Sequence, residues 1–216
     1  MNTNKIVLIS GGIDSTILAT RAAHDNVLTG NKTLLLHISY DHPAREVEEI
    51  ASFNVYKHIN DTYKNTVEYK CVKVPIIAKS MFIGNKEKGA RVVPNRNSIM
   101  LNIAINVAVC NDVKIIEYGA VLDDLNDYVD CRKEFLDKMN DLASDWGVKI
   151  EAPLMNLNKS DVLYEIGSDV SLIHCSSCYE PKLYEDRWVS CGECNSCISN
   201  GLSFGYQQIV NTMRTS

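Results

Sequence analysis

Apolar residues follow two alternating rhythms along this chain. Short runs rich in β-branched residues occur at Lys5-Ile6-Val7-Leu8-Ile9, Thr33 to Ser39, Val67 to Val74 and Val113 to Gly119. Such runs predict buried parallel strands. Between them lie stretches with apolar residues at helical spacing. Asp14 to His24 is one, and Pro43 to His58 is another, with proline suited to the first turn. Arg96 to Cys110 carries Ile99, Leu101, Ile103 and Val107 in helical register, and Asp130 to Trp146 sets Phe135, Leu136, Met139 and Leu142 on one side. After Ala152-Pro153-Leu154, a short helix is expected over Lys159 to Ile166. Residues 76 to 95 show no clear period, and Gly84 to Gly89 reads as an exposed loop. The alternation of strand and helix predicts an α/β fold, a doubly wound parallel sheet with helices on both faces.

The length of 216 residues gives room for one α/β domain and a small appended module. The expected division is 1–172 for the α/β domain, then 173–216 for a cysteine-rich module and C-terminal helix. A net charge of −5 argues against a protein whose main task is gripping a nucleic-acid backbone. No apolar run approaches the ~18 residues needed to span a bilayer, so no membrane partner is expected. The N-terminal residues pass straight into a strand without a signal-like apolar segment, which suits a cytoplasmic protein. Five of the eight cysteines crowd into the last fifth of the chain. In a reducing compartment such clustering points to metal ligation in preference to disulfides.

Ser10-Gly11-Gly12-Ile13-Asp14-Ser15 stands between a predicted strand and a predicted helix. Glycines let the backbone turn tightly and bring amide N–H groups close to an anion, and the helix N-terminus adds partial positive charge. Ser10 and Ser15 supply hydroxyls, while Asp14 suits capping or orienting a metal better than direct phosphate contact. The segment has neither the Gly-x-x-x-x-Gly-Lys-Ser/Thr nor the Gly-x-Gly-x-x-Gly spacing. It resembles the Ser-Gly-Gly-x-Asp-Ser signature of the PP-loop ATP pyrophosphatases. That resemblance implies an adenine nucleotide alpha hydrolase-like fold, in which the loop holds pyrophosphate while a substrate oxygen is adenylated. ATP is the nucleotide it implies.

Cys191, Cys194 and Cys197 have Cys-x-x-Cys-x-x-Cys spacing, with Cys178 upstream across a loop that could fold back. Four thiolates satisfy tetrahedral Zn²⁺. Cys175 makes a second Cys-x-x-Cys pair with Cys178, so five thiols compete for four positions. The set read here is Cys178, Cys191, Cys194 and Cys197, closed and structural because it leaves no position for water. The spacing alone leaves an iron–sulfur cluster open as the rival.

Further blocks narrow the resemblance. Val93-Pro94-Asn95-Arg96-Asn97, Asp124 with Tyr128-Val129-Asp130-Cys131-Arg132-Lys133-Glu134-Phe135, Pro153-Leu154 with Lys159, and the cysteine module occur in the order seen in 7-cyano-7-deazaguanine (preQ0) synthases of the QueC-like family. The resemblance runs from about Lys5 to Phe204. It implies a ligase that converts 7-carboxy-7-deazaguanine and ammonia to the nitrile with ATP and Mg²⁺, through adenylated carboxylate and amide intermediates, and a homodimer. It also implies roles. Ser10, Gly11, Gly12, Asp14 and Ser15 would hold pyrophosphate, and Arg96 and Lys159 would neutralise phosphate charge. Asp124 would position Mg²⁺ or substrate, while Tyr128, Asp130 and Arg132 would recognise the base or order the wall around it. Arg96 as a helix-terminal ion-pair residue and Lys159 as a solvated lysine stay open as plainer readings. Cys131 reads as a packed small residue, since the chemistry needs no thiol nucleophile.

The sequence departs from the family pattern in three places. The Asp-Tyr-Gly-Gln-Arg-His ending of the second strand is here Asp41-His42-Pro43-Ala44-Arg45-Glu46. Asn126-Asp127 replaces a Ser-Gly, and Val129 replaces a proline. No arginine follows Cys197 within Ile198 to Gly201. The alternatives are a relative that passes the activated deazapurine carboxylate to another amine, and a PP-loop enzyme that modifies tRNA.

Overall fold

The computed structural model describes residues 3–76, 93–125, 128–158, 160–162, 172–198 and 209–211. Its main sheet is parallel, formed by β1 (Thr3–Leu8), β2 (Lys32–Ser39), β3 (Val67–Lys73), β4 (Ile115–Glu117) and β5 (Lys149–Glu151) in the order β3-β2-β1-β4-β5. The chain winds outward from β1 to β2 and β3, then returns to lay β4 and β5 on the other side. That reversal places a crevice between β1 and β4 at the carboxyl ends of the strands, where open α/β sheets bind ligands.

Side-chain alternation along each strand divides the core into two layers. Ile6, Leu34, Leu36 and Ile116 face α3 (Arg96–Cys110) and α4 (Lys133–Ser144), packing on Leu101, Ile105 and Met139. Val7, Ile9 and Leu35 face the other way, against Ile17 and Leu18 of α1 (Ile13–Thr29) and Val55 and Ile59 of α2 (Arg45–Thr62). The doubly wound sheet expected from the sequence is thus the fold observed. Lys5 on β1 also pairs with the buried Glu117 on β4, an ionic bridge across the strand reversal.

Several boundaries differ from expectation for local reasons. Helix α1 runs past His24 to Thr29, ending where Gly30 adopts φ 71° and its N–H donates to Asn26 O at 2.9 Å. Asn26 in turn donates to Thr33 Oγ1 at 2.9 Å and Thr66 O at 3.1 Å, which joins the helix end to the sheet. Helix α2 begins at Arg45 and not at Pro43, because residues 42–45 first close a turn in which Arg45 N–H donates to His42 O at 3.0 Å. Helix α4 begins at Lys133 and not at Asp130. A 3₁₀ turn, Val129–Cys131, comes first, held by bonds from Asn97.

On α4 the core-facing stripe is Phe135, Leu136, Met139 and Ala143, while Leu142 is exposed. The predicted strand 113–119 shrinks to Ile115–Glu117, and β5 is a strand the apolar pattern did not reveal. Of the predicted helix from Lys159 to Ile166, residues 160–162 are helical, and Lys159 and 163–166 lie outside the described residues. The loop 84–89 lies outside them too. A second, antiparallel sheet of β6 (Lys182–Tyr184), β7 (Arg187–Val189) and β8 (Ile209–Asn211) was not foreseen, and β8 is strand where a helical tail was expected. Trp188 of β7 packs on Ala44, Val47 and Ile50 at the start of α2. Among the described residues no helix is long and apolar enough to cross a membrane.

His37 on β2 is buried with Nδ1 2.8 Å from Ile9 O, so that nitrogen carries a proton and donates. Burial lowers its pKa below the ordinary 6.5, against smaller opposing effects of the Ile9 carbonyl and Glu48. Below ~6.5 the unfolded chain therefore binds a proton that the folded chain resists, so stability falls as pH drops from ~6.5 toward the depressed folded value. Urea midpoints measured from pH 7.5 to 5 should show this acid limb, and His37→Gln should flatten it. An equally steep limb in His37→Gln would assign the effect to other groups.

Candidate functional site

The loop Ser10–Gly12 leaves the end of β1 and enters α1 within the crevice. Gly11 has φ +84°, and a Cβ there would lie 2.6 Å from Ser52 N and 2.7 Å from the Ala51 Cβ, so both conformation and the approach of α2 require glycine. The turn is cross-braced by its own hydroxyls. Ser15 Oγ donates to Gly12 O at 3.0 Å and accepts from Ser10 N–H at 3.2 Å, while Ser10 Oγ accepts from Gly12 N–H at 3.2 Å. Thr16 Oγ1 adds a second bond to Gly12 O at 2.8 Å. From the β4 side, Gly119 comes so close that a Cβ on it would sit 3.3 Å from Ser15 N. The first turn of α1, including Asp14, thus opens at the strand reversal with its positive dipole end toward the crevice.

A second group gathers beyond the ends of β2 and β4. Arg96, at the first turn of α3, donates from Nη1 to Tyr40 Oη at 3.3 Å. Tyr40 is buried, and its ring stacks on His42 at 4.3 Å. His42 Nε2 lies 3.4 Å from Glu48 Oε2. Burial works to lower the Arg96 pKa, but Tyr40, Glu48 and Tyr179 outweigh it and the guanidinium is raised, so its charge is secure. The Tyr179 pKa is raised, by desolvation first and then by Tyr128, with Arg96 and Asp124 as further electrostatic neighbours. Asp124 lies in the 3₁₀ turn Leu122–Asp124 just after β4.

Other expected residues have different surroundings. Asp130 Oδ2 accepts from Asn97 N–H at 3.2 Å, so this carboxylate caps α3. Arg132 is exposed and donates from Nε to Leu125 O at 3.0 Å. Cys131 is buried, and burial followed by Asp124 and Asp130 pushes its thiol up to about 12, so it stays protonated and unreactive at neutral pH. Lys159 lies outside the described residues.

The four cysteines expected to bind metal do converge: the Sγ atoms of Cys178, Cys191, Cys194 and Cys197 all lie within 4.8 Å of one another. Backbone N–H groups point at the sulfurs, from Cys191 to Cys178 Sγ at 3.2 Å, from Cys194 to Cys191 Sγ at 3.4 Å and from Cys197 to Cys194 Sγ at 3.4 Å. Such bonds stabilise thiolates. A hydrogen bond from Cys178, helped by N–H groups of Tyr179 and Cys197, draws Cys194 down to about 4, and the same bond raises Cys178. The set can therefore hold a metal ion. Cys175 is apart from it, buried against α1 with its thiol donating to Thr16 Oγ1 at 3.2 Å.

Reading the sequence missed four contributors. Tyr40 and Tyr118 sit in apolar runs and gave no signal; Tyr118 Oη is buried with no hydrogen-bond partner among the described residues. Ser177 and Tyr179 flank the metal-set residue Cys178, and that adjacency was the available clue.

The chain is similar to several known proteins. A 7-cyano-7-deazaguanine synthase of Leptospira biflexa is 32% identical over 92% of this chain and 89% of its own length. That of Methanospirillum hungatei is 29% identical over 89% of this chain and 90% of its own. Among solved structures, an NMN synthetase from Francisella tularensis matches with TM-score 0.52 and 19% identity, over 82% of this chain and 66% of that one. The U34-tRNA thiolase NcsA from Methanococcus maripaludis, solved with its [4Fe-4S] cluster, matches with TM-score 0.51 and 17% identity, over 86% of this chain and 62% of that one. These two share the fold. The model of the family described as queuosine biosynthesis protein QueC matches residues 4–207, nearly the whole chain, and the chain belongs to that family.

Proposed function

We propose that this protein is a ligase converting 7-carboxy-7-deazaguanine and ammonia, with ATP, to 7-cyano-7-deazaguanine. The observation that carries this reading is the hydroxyl-braced loop Ser10–Ser15 seated at the strand reversal with the N-terminus of α1 behind it. A carboxylate is a poor electrophile because its leaving group would be oxide. Attack of a carboxylate oxygen on the α-phosphorus of ATP forms the acyl adenylate and releases pyrophosphate. Ammonia then displaces AMP, giving the amide and one proton. The amide oxygen attacks the α-phosphorus of a second ATP and releases a second pyrophosphate, and loss of AMP together with both amide protons leaves the nitrile.

In this reading Ser10, Gly11, Gly12 and Ser15 take up the charge that develops on the departing pyrophosphate, the cross-bracing bonds of Ser10 and Gly12 N–H exchanging for phosphate oxygens as it binds. Arg96, held by Tyr40, and Lys159 offset charge near the α-phosphate. Tyr128 and the buried Tyr118 hydroxyl suit the polar edge of a purine-like base, whereas Asp130 and Arg132 order the wall behind it. Asp14 and Asp124 provide oxygen donors of the type Mg²⁺ takes, and the ion would supply charge neutralisation for the triphosphate. Cys178, Cys191, Cys194 and Cys197 suit Zn²⁺, which would close the C-terminal module. We read 1–172 as the catalytic domain and 173–216 as that module. Its separate antiparallel sheet supports the division.

The test is to incubate the purified protein with 7-carboxy-7-deazaguanine, ATP, Mg²⁺ and an ammonium salt and follow products by mass spectrometry. The nitrile is the expected product. Amide or adenylate accumulating without nitrile would point to another amine acceptor, a possibility raised by the altered His42-Pro43-Ala44 segment. No ATP turnover would refute the ligase reading. Asp14→Ala should lower kcat/KM by about a hundredfold, ~2.7 kcal/mol of transition-state stabilisation, while the thermal midpoint stays near that of the wild type. Full turnover in this variant would remove Asp14 from the machinery.

A further inference from the structure

Residues 175–179 run as a strip from the phosphate loop to the cysteine cluster, and its members reach partners some 160 positions earlier in the chain. The Cys175 thiol donates to Thr16 Oγ1 at 3.2 Å. Ser176 N–H donates to Gly11 O at 2.8 Å, and Ser177 Oγ accepts from Ile13 N–H at 3.4 Å. The next residue, Cys178, belongs to the cluster, and Tyr179 has Tyr128 and Arg96 as neighbours.

These contacts bear on the direction of the loop's amides. In a trans peptide the C=O and the following N–H point opposite ways. Holding Gly11 O from Ser176 therefore aims Gly12 N–H, and holding Gly12 O from Ser15 and Thr16 aims Ile13 N–H, which Ser177 Oγ meets. The Ser177 hydroxyl also lies 3.3 Å from where a Gly12 Cβ would be, so it stands at the mouth of the loop. The strip has little regular structure of its own, and what fixes its far end is Cys178 in the cluster.

We propose that Ser177 is a positioning residue of the phosphate loop, and that metal held by the cysteine cluster sets the loop's affinity for nucleotide through the strip Cys175–Cys178. This rests on the reading of the loop as the ATP site. Without metal the strip gains freedom, and each nucleotide-binding event must order it again.

The test uses the metal-loaded full chain and a non-hydrolysable ATP analogue bridged between the α- and β-phosphates, titrated by calorimetry. S177A should bind about fivefold more weakly, because the nucleotide must then order a loop no longer held at Ile13 N–H, with metal content unchanged, and S177T should restore most of the affinity. The metal-stripped wild type should bind at least tenfold more weakly. Amide hydrogen exchange at Gly11–Ile13 should quicken on stripping while the β1 and β2 amides stay protected, a readout independent of nucleotide. Wild-type affinity in S177A, or unaltered exchange at the loop after stripping, overturns the proposal. Failure of the metal-loaded wild type to bind the analogue overturns the nucleotide reading and the affinity claim together.

Discussion

Replacing Cys194 with serine should weaken the metal site of the C-terminal module enough for a mild chelator to empty it, and, before chelation, lower the thermal midpoint by about 10 °C. A closed structural zinc site contributes ~10 kcal/mol of apparent binding free energy to folding. Losing one ligand of four gives up roughly 3–5 kcal/mol of that, and each kcal/mol moves the midpoint by about 2–4 °C in a chain of this size. Cys194 is the telling choice because it is fully buried, carries the depressed pKa and receives an N–H bond from Cys197 at 3.4 Å. Cys175→Ser is the control, since that thiol faces Thr16 outside the cluster and a serine hydroxyl can make the same bond. Elemental analysis and calorimetry on both variants decide the matter. Metal retained in Cys194→Ser under the chelator, or lost in Cys175→Ser, would contradict the ligand set.

Gly11→Ala should destabilise the fold by about 2–6 kcal/mol, an unusual amount for adding one methyl group. Holding a non-glycine residue at φ +84° costs roughly 1–3 kcal/mol. Overpacking adds about 1–3 kcal/mol more, because the new Cβ would meet the backbone of Ser52 and the Ala51 Cβ, which cannot move without shifting α2. Gly12 is the comparison. Its φ of −78° suits any residue, and the atoms nearest a Cβ there are the Ser10 and Ser177 hydroxyls at 3.2 and 3.3 Å. Gly12→Ala should therefore cost less stability than Gly11→Ala and act mainly on nucleotide binding. Urea unfolding of the two variants measures the difference, and equal losses would mean that the approach of α2 is not what constrains Gly11.

Much of the site was legible from residue order. The loop Ser10–Ser15 could be read because a strand, two glycines, two hydroxyls and a helix start are local features, and their physics does not depend on distant partners. The cysteine set could be read because three ligands lie within seven residues and only Cys178 had to come from elsewhere. Strands β1, β2 and β3 and helix α3 were found nearly in place, since burial on one or both faces writes a clear apolar period. The three-residue strands β5, β6, β7 and β8 were not found, as so short a segment carries no period.

The sequence by itself determined the alternating α/β order, the anion-binding turn and a four-thiol site, because each rests on local backbone preference or close spacing. Only the tertiary structure decided which expected residues stand together. It turned Asp130 inward to cap α3 and set Tyr40 against Arg96. It also separated Cys175 from the metal set and laid Ser176 and Ser177 on the phosphate loop. The physical reason is common to all four. Each depends on a hydrogen bond between segments far apart in the chain, and such a bond exists only after the sheet and its two helical layers have brought those segments within about 3 Å.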